Sequence, residues 1–291
     1  MIEQTSASGW ADDDLDAALL AYQKTAESAG MPLYQGGGAR DFFENEFAFG
    51  RALDADFTGY FEPVYRASRD RTGDYRWPIY RAPADNSEFT RAEIMNGALA
   101  GQGLEDFWLS DPMDAYLLGI QGSGRLKLAD GSVARVNYAC GNCHDYRSIG
   151  QILIARGDIP ERDMSADALR HWVRANGEAG LSVLAENPAF VFFRELTDLP
   201  ESEGPIGAMG APLTDLRSIA VDPDHHRLGA PIWIERANAQ PTLCIAQDVG
   251  SAIKGAGRVD VFIGVGEVAG RIAGGMREKG RITPLIPRIA S

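Results

Sequence analysis

The sequence predicts a chain that is mixed helix and strand in its middle and all-β, of barrel type, toward its end. Two observations carry this. After Pro200 the chain breaks into short strand-like pieces, Ser218 to Val221, Pro231 to Glu235, Leu243 to Ala246, Val259 to Ile263 and Ile282 to Ile286, separated by Gly, Pro and Asp. Strand signals also occur early, from Phe57 to Val64, which leaves open a barrel whose strands come from both ends of the chain with the middle inserted. With 291 residues, 45% of them hydrophobic, there is material for two domains.

Taken in order, residues 12 to 29 read as a helix. Asp13 and Asp14 favour its positive end, Leu15, Leu19 and Tyr22 recur at helical spacing, and Gly30 ends it. The run Gly36-Gly37-Gly38 has no preceding strand and no following Lys-Ser/Thr, so it is a connector rather than a phosphate loop. From Arg125 to Tyr138 the apolar period is two, with Asp130-Gly131 as a turn, and a hairpin is expected. Ser165 then precedes a helix carrying Leu169, Trp172 and Val173 and ending near Asn176-Gly177, with His171 a half-buried helix residue. Asn187-Pro188 breaks the next short helix.

Composition narrows the function. A formal charge of -13, with no run of Lys or Arg, repels a polyphosphate and excludes nucleic acid as a partner. No apolar run reaches the roughly 18 to 20 residues of a membrane span, so no transmembrane segment is expected. The start, MIEQTSASGWADDD, has neither a basic nor an apolar leader region. Cys140, Cys143 and Cys244 are too few for a disulfide framework, and His144, His171, His225 and His226 are too scattered for a zinc site, so neither metal nor cofactor is expected. One motif points elsewhere: Cys140-Gly141-Asn142-Cys143-His144 is a C-x-x-C-H, the attachment pattern of a c-type haem, which makes an electron carrier the rival reading.

The acidic total invites a search for a carboxylate pair able to cut a glycosidic bond. Glu62 lies in FTGYFEP, beside rings on which a sugar could stack, Asp248 lies in AQDVGSAIKG, and Asp260 lies in RVDVFIG. Asp260, between Val259 and Val261 and near Phe262, is set where burial raises a carboxyl pKa toward a proton donor's range. Asp248 is expected to stay ionised and structural, held by the following backbone N–H groups and Ser251. The residues alone nominate Asp260 and find no convincing partner for it.

The blocks FTGYFEP (57 to 63), WPIYRAP (77 to 83), QGSGRLKLADG (121 to 131), YRSIGQILIARGDI (146 to 159), ENPAFVFFRE (186 to 195) and AQDVGSAIKGAGRVDVFIGVGEVAG (246 to 270) occur in one order. The chain thereby resembles the membrane-bound lytic murein transglycosylase A family over about residues 57 to 287. The resemblance implies a mainly β fold with peripheral helices and two domains with a deep glycan groove between them. One is a double-ψ β-barrel, related to barwin and expansin, built from residues 1–63 and 197–291. The other is an inserted smaller β-rich domain, 64–196.

The resemblance also implies an activity: cleavage of the β-1,4 bond between N-acetylmuramic acid and N-acetylglucosamine in peptidoglycan, leaving a 1,6-anhydromuramic end. Its single catalytic aspartate falls on Asp260, acting as acid and then as base. Thr58, Tyr60, Gln121, Ser123, Asp248 and Lys254 fall on substrate-binding positions, and Asp222, Asn142 and His144 on supporting ones. The expected partners are glycan strands and cell-wall machinery, the expected state is a monomer, and the expected place is the periplasm, with outer-membrane association. The family's lipobox cysteine is missing here, so a trimmed mature chain with an added Met1 is expected. A non-catalytic, expansin-like sugar-binding module is the alternative. Where Cys140 and Cys143 stand, the family has glycines, which sets the haem reading aside and leaves room for a small disulfide in an oxidising compartment.

Overall fold

The computed structural model describes residues 7–84 and 88–288, so the expected added Met1 lies outside the described residues. In chain order the elements are α1 (Leu15–Gln23), α2 (Ala39–Glu46), β1 (Phe47–Phe49), β2 (Leu53–Glu62), β3 (Val64–Ser68), β4 (Trp77–Tyr80), α3 (Arg91–Met95), β5 (Glu105–Leu109), α4 (Pro112–Gln121), β6 (Ser123–Lys127) and β7 (Val133–Gly141). There follow α5 (Ile149–Arg156), α6 (Ala166–Ala175), α7 (Gly177–Ala185), β8 (Val191–Leu196), β9 (Ser218–Ala220), β10 (Pro231–Arg236), β11 (Thr242–Asp248), β12 (Arg258–Val265), α8 (Gly266–Gly275) and β13 (Arg277–Pro287). They form two compact units, Met1–Phe61 with Pro200–Ser291, and Glu62–Leu199.

The first unit is a closed barrel. Its strands run in the order β13-β10-β11-β9-β12-β2, and β2 pairs back onto β13, leaving β1 attached outside the ring on β13. β11 and β9 are parallel, whereas β10–β11, β10–β13, β12–β9 and β13–β2 are antiparallel. The strand from the early part of the chain therefore supplies the last edge, and the ring cannot close without it.

β10 and β11 are apolar on both faces because both are covered. Ile232, Ile234, Cys244 and Ala246 enter one cluster with Phe57, Val259, Val261 and Ile282. Trp233, Leu243 and Ile245 face the other way, into a cluster with Trp10, Leu15, Tyr22, Phe42 and Phe43 from the N-terminal helices. The first helix is shorter than its periodicity suggests, and its aspartates divide the work. Asp14 caps it by accepting from the Ala17 N–H at 3.1 Å. Asp13 instead pins the segment to the barrel, accepting from Arg217 at 2.9 Å, from the Thr242 hydroxyl at 2.8 Å and from the Leu243 N–H at 2.9 Å.

The second unit holds a six-stranded sheet in the order β4-β5-β3-β6-β7-β8, with the expected hairpin as β6 and β7. Its helices α4 to α7 contribute Met113, Tyr116, Leu153, Leu169, Val173 and Leu184 to a cluster of their own. The Ser165 cap is present, accepting from the Ala168 N–H at 3.1 Å. His171, expected to be half-buried, is exposed on α6, because Leu169 and Val173 take the helix's inner face. Glu62 opens this unit fully buried, receiving Arg125 at 2.8 Å and Arg135 at 3.0 Å. A fully buried carboxylate paired with two guanidiniums is held ionised and away from solvent, which fits a structural role for Glu62 rather than proton transfer. Among the described residues, no helix is long and apolar enough to cross a membrane.

Candidate active site

β2 and β12 are neighbours in the barrel, and strand alternation sorts their side chains. On β2, Phe57 enters the apolar cluster while Thr58 and Tyr60 take the opposite face. On β12, Val259 and Val261 enter the same cluster, and Arg258, Asp260 and Phe262 share the other face. Contrary to the expectation from the sequence, the flanking valines point away from Asp260 into the barrel cluster, because the strand's period of two puts them on the other face. The apolar wall on its own face is Phe262 with the Tyr60 ring, their centroids 5.4 Å apart.

Gly59 and Gly270 are the residues that let this corner pack. A Cβ on Gly59 would sit 3.0 Å from the Ala273 Cα of α8, and one on Gly270 would sit 2.8 Å from the Phe61 ring. Glycine at both places lets α8 lie against β2, directly behind Thr58 and Tyr60.

Three side chains form a relay. The Thr58 hydroxyl donates to Asp260 Oδ1 at 2.6 Å and accepts from Arg258 Nη2 at 2.8 Å, so the guanidinium orients the hydroxyl that orients the carboxyl. Burial pushes the Asp260 pKa up to about 6, against the lowering pull of the Thr58 hydrogen bond and the Arg258 charge, with Asp248 adding to the rise. At pH 7 roughly a tenth of such groups carry a proton. Arg258 was not expected at the site. Its signal is its position two residues before Asp260 on the same strand, which places both on one face.

Asp248 sits across β9 from Asp260, both in register with Ala220. It accepts from the Tyr60 hydroxyl at 2.9 Å and from the Ala208 N–H at 3.0 Å. Of the two expected holds, the following backbone N–H is present at Val249 and the Ser251 bond is absent among the described residues. Burial raises the Asp248 pKa despite the bonds from Tyr60, Val249 and Ala208. Both of its oxygens are engaged, so Asp248 anchors Tyr60 rather than offering a second free carboxylate.

Asp222 is buried and accepts from the Gly255 N–H at 2.7 Å, the bond that chiefly holds its pKa low. Lys254 is exposed, its Nζ 3.7 Å from Asp222. Asp222 thus pins the AIKG loop that leads into β12.

The remaining expected residues belong to the Glu62–Leu199 unit. Gln121 ends α4, Gly122 at φ 75° turns the chain, and Ser123 starts β6, buried. Asn142 is spent on backbone: it donates to the Phe89 and Pro188 carbonyls, both at 2.8 Å, and accepts from the Phe190 N–H at 2.8 Å. It clamps chain segments together through backbone groups. His144 Nε2 lies 2.6 Å from the Glu88 carbonyl. Cys140 and Cys143 are free thiols, with Cys143 at φ 61°, a left-handed conformation that glycine adopts without cost. Among the described residues there is no group of three or more His, Cys, Asp or Glu able to hold a metal ion.

Residues 217–286 match the 3D domain and residues 56–194 match the MltA specific insert domain. The class is thus defined by its parts, a mainly β chain in which a double-ψ β-barrel carries that insert. The membrane-bound lytic murein transglycosylase A of Escherichia coli (strain K12) is 37% identical over 243 residues, 79% of this chain and 65% of that protein. A solved structure of E. coli MltA with bound chitohexaose is 31% identical, with a TM-score of 0.77 over 98% of this chain and 86% of that one. A crystal structure of MltA from Neisseria gonorrhoeae superposes with a TM-score of 0.84 at 29% identity over 99% and 92% of the two chains. The chain belongs to the membrane-bound lytic murein transglycosylase A family. It spans 65% of the length of the curated E. coli relative.

Proposed function

We propose that this chain is a lytic transglycosylase of the periplasm. It cleaves the β-1,4 bond between N-acetylmuramic acid and N-acetylglucosamine in peptidoglycan and leaves a 1,6-anhydromuramic end. The observation that carries the reading is Asp260, half-buried, oriented by Thr58 and Arg258, with its pKa lifted to about 6. A carboxyl so placed can give its proton to the leaving glycosidic oxygen and, once ionised, take the proton of the muramic 6-hydroxyl as that oxygen attacks the anomeric carbon. An attacking group already tethered to the sugar replaces an activated water and the second carboxylate that would have to activate it. The engaged state of Asp248 and Glu62 fits this economy. The chitohexaose in the E. coli relative supports a glycan strand as the ligand here.

The test is digestion of purified peptidoglycan followed by mass spectrometry. Anhydromuropeptides are expected from the wild type and none from Asp260→Ala, which should still bind insoluble peptidoglycan. Products with reducing ends would mean a hydrolase, and no products from the wild type would mean a sugar-binding module.

A further inference from the structure

The Glu62–Leu199 unit contains a cavity of about 280 Å³ that the proposed chemistry leaves unused. Trp77, Tyr80, Trp108, Tyr116 and Phe190 supply its rings, and its charged lining is Arg71, Arg76, Arg91 and Glu105. Arg71 and Arg76 are exposed at the rim, and Arg71 lies 5.6 Å from the Trp108 ring centroid.

Arg91 is the unusual member. It is only 7% exposed. Its Nε donates to the Asn187 carbonyl at 3.2 Å and one Nη to the Ala189 carbonyl at 2.7 Å, and its guanidinium lies over the rings of Tyr116 and Phe190 at 4.7 and 5.1 Å. Among the described residues it forms no ion pair, Glu105 included, although 17 ion pairs occur among those same residues. Carbonyl dipoles and ring faces ease a buried cation, but a carboxylate is what ordinarily balances one. A buried guanidinium whose second Nη makes no hydrogen bond among the described residues, on the wall of a ring-lined cavity, is therefore a site waiting for an anion with an apolar body.

We infer that this cavity binds the carboxylate of a short acidic peptide, with Arg91 as the charge partner and the rings packing the peptide's small apolar side chains. In peptidoglycan the molecule of that chemistry is the peptide arm carried on muramic acid, an assignment that rests on the proposed function. The carboxylate site itself rests only on Arg91 and its surroundings.

The probe is N-acetylmuramoyl-L-alanyl-D-isoglutamine, which carries one free carboxylate and no bond for the enzyme to cut, titrated calorimetrically against the full chain. Its methyl ester is the control. Binding of the acid should weaken about tenfold or more in Arg91→Gln, the cost of losing a charge-assisted bond. The ester should bind the wild type as weakly as the acid binds Arg91→Gln, and Arg91→Gln should not discriminate acid from ester. Ala100→Trp, a substitution at an exposed residue on the lining, should abolish binding without unfolding the chain, which keeps the test decisive if Arg91→Gln fails to fold. Equal affinity for acid and ester, or unchanged binding in Ala100→Trp, overturns the inference. Asp260→Ala should bind the probe like the wild type. If that variant still releases anhydromuropeptides, the catalytic reading fails while the carboxylate site stands.

Discussion

At the scale of single residues, the Thr58–Asp260–Arg258 relay makes opposing demands on one carboxyl. Burial raises its pKa, while the hydroxyl and the guanidinium pull it down. The first step of the proposed reaction needs the protonated form, so on that proposal the rate of product release should fall as pH rises above about 6. Removing either stabiliser of the anion, by Thr58→Val or Arg258→Met, should move that limb to higher pH and lower the rate at its plateau. A limb that stays put in both variants rules the relay out. The same residue has a cost in stability. A carboxyl with a folded pKa of about 6 and an ordinary unfolded value of 3.8 binds its proton more tightly when folded. Stability is therefore full below pH 3.8, falls as pH rises toward 6, and stays low above it. Asp260→Asn should stabilise the chain by roughly 1–3 kcal/mol at pH 7.5 and by almost nothing near pH 4. Thermal melts at both values check this.

At the scale of elements, strands were legible and several helices were not. β9 to β12 announce themselves by short apolar runs between breakers, because a pleated strand needs only local alternation and a turn at each end. β13 runs from Arg277 to Pro287, well beyond the apolar Ile282 to Ile286 expected. Its first half is polar and is held by register with β10 and β2 rather than by its own pattern. α8, GEVAGRIAGG, has four glycines and no side-chain cap, and forms because Ala269 and Ala273 seat on the barrel cluster. Two changes test this level. A Cβ on Gly280 would lie 2.0 Å from the Glu235 carbonyl of β10, so Gly280→Ala should cost at least ~2 kcal/mol and lower the melting temperature. Glu62→Gln removes the charge that balances buried Arg135 and half-buried Arg125 and should cost about 3–5 kcal/mol. Denaturant titration of each variant gives the numbers.

At the scale of the whole molecule, the barrel is assembled from distant parts of the chain, with β2 as the closing strand. A fragment of residues 200–291 retains β9 to β13 but lacks β2 and the N-terminal helices that cover Trp233 and Leu243. It should show no cooperative melt and should aggregate, since two open edges and one apolar face are left bare. A sharp transition in circular dichroism from that fragment would contradict this account.

The sequence by itself determined the periodicities, the hairpin, the caps at Asp14 and Ser165, and the run of motif blocks that marks the family and nominates Asp260. These are local properties, written in the order of neighbouring residues. Tertiary structure alone decided which donors and charges each carboxylate meets. Glu62, Asp222, Asp248 and Asp260 are four acids of a strongly acidic chain, and only Asp260 is nominated from the residues as a proton donor. One is neutralised by two arginines, one caps a loop, one anchors a tyrosine, and one is left half-buried beside a threonine. A pKa is set by which donors, charges and apolar surfaces surround a group in space, and residues 58, 248, 258 and 260 meet only when the barrel closes.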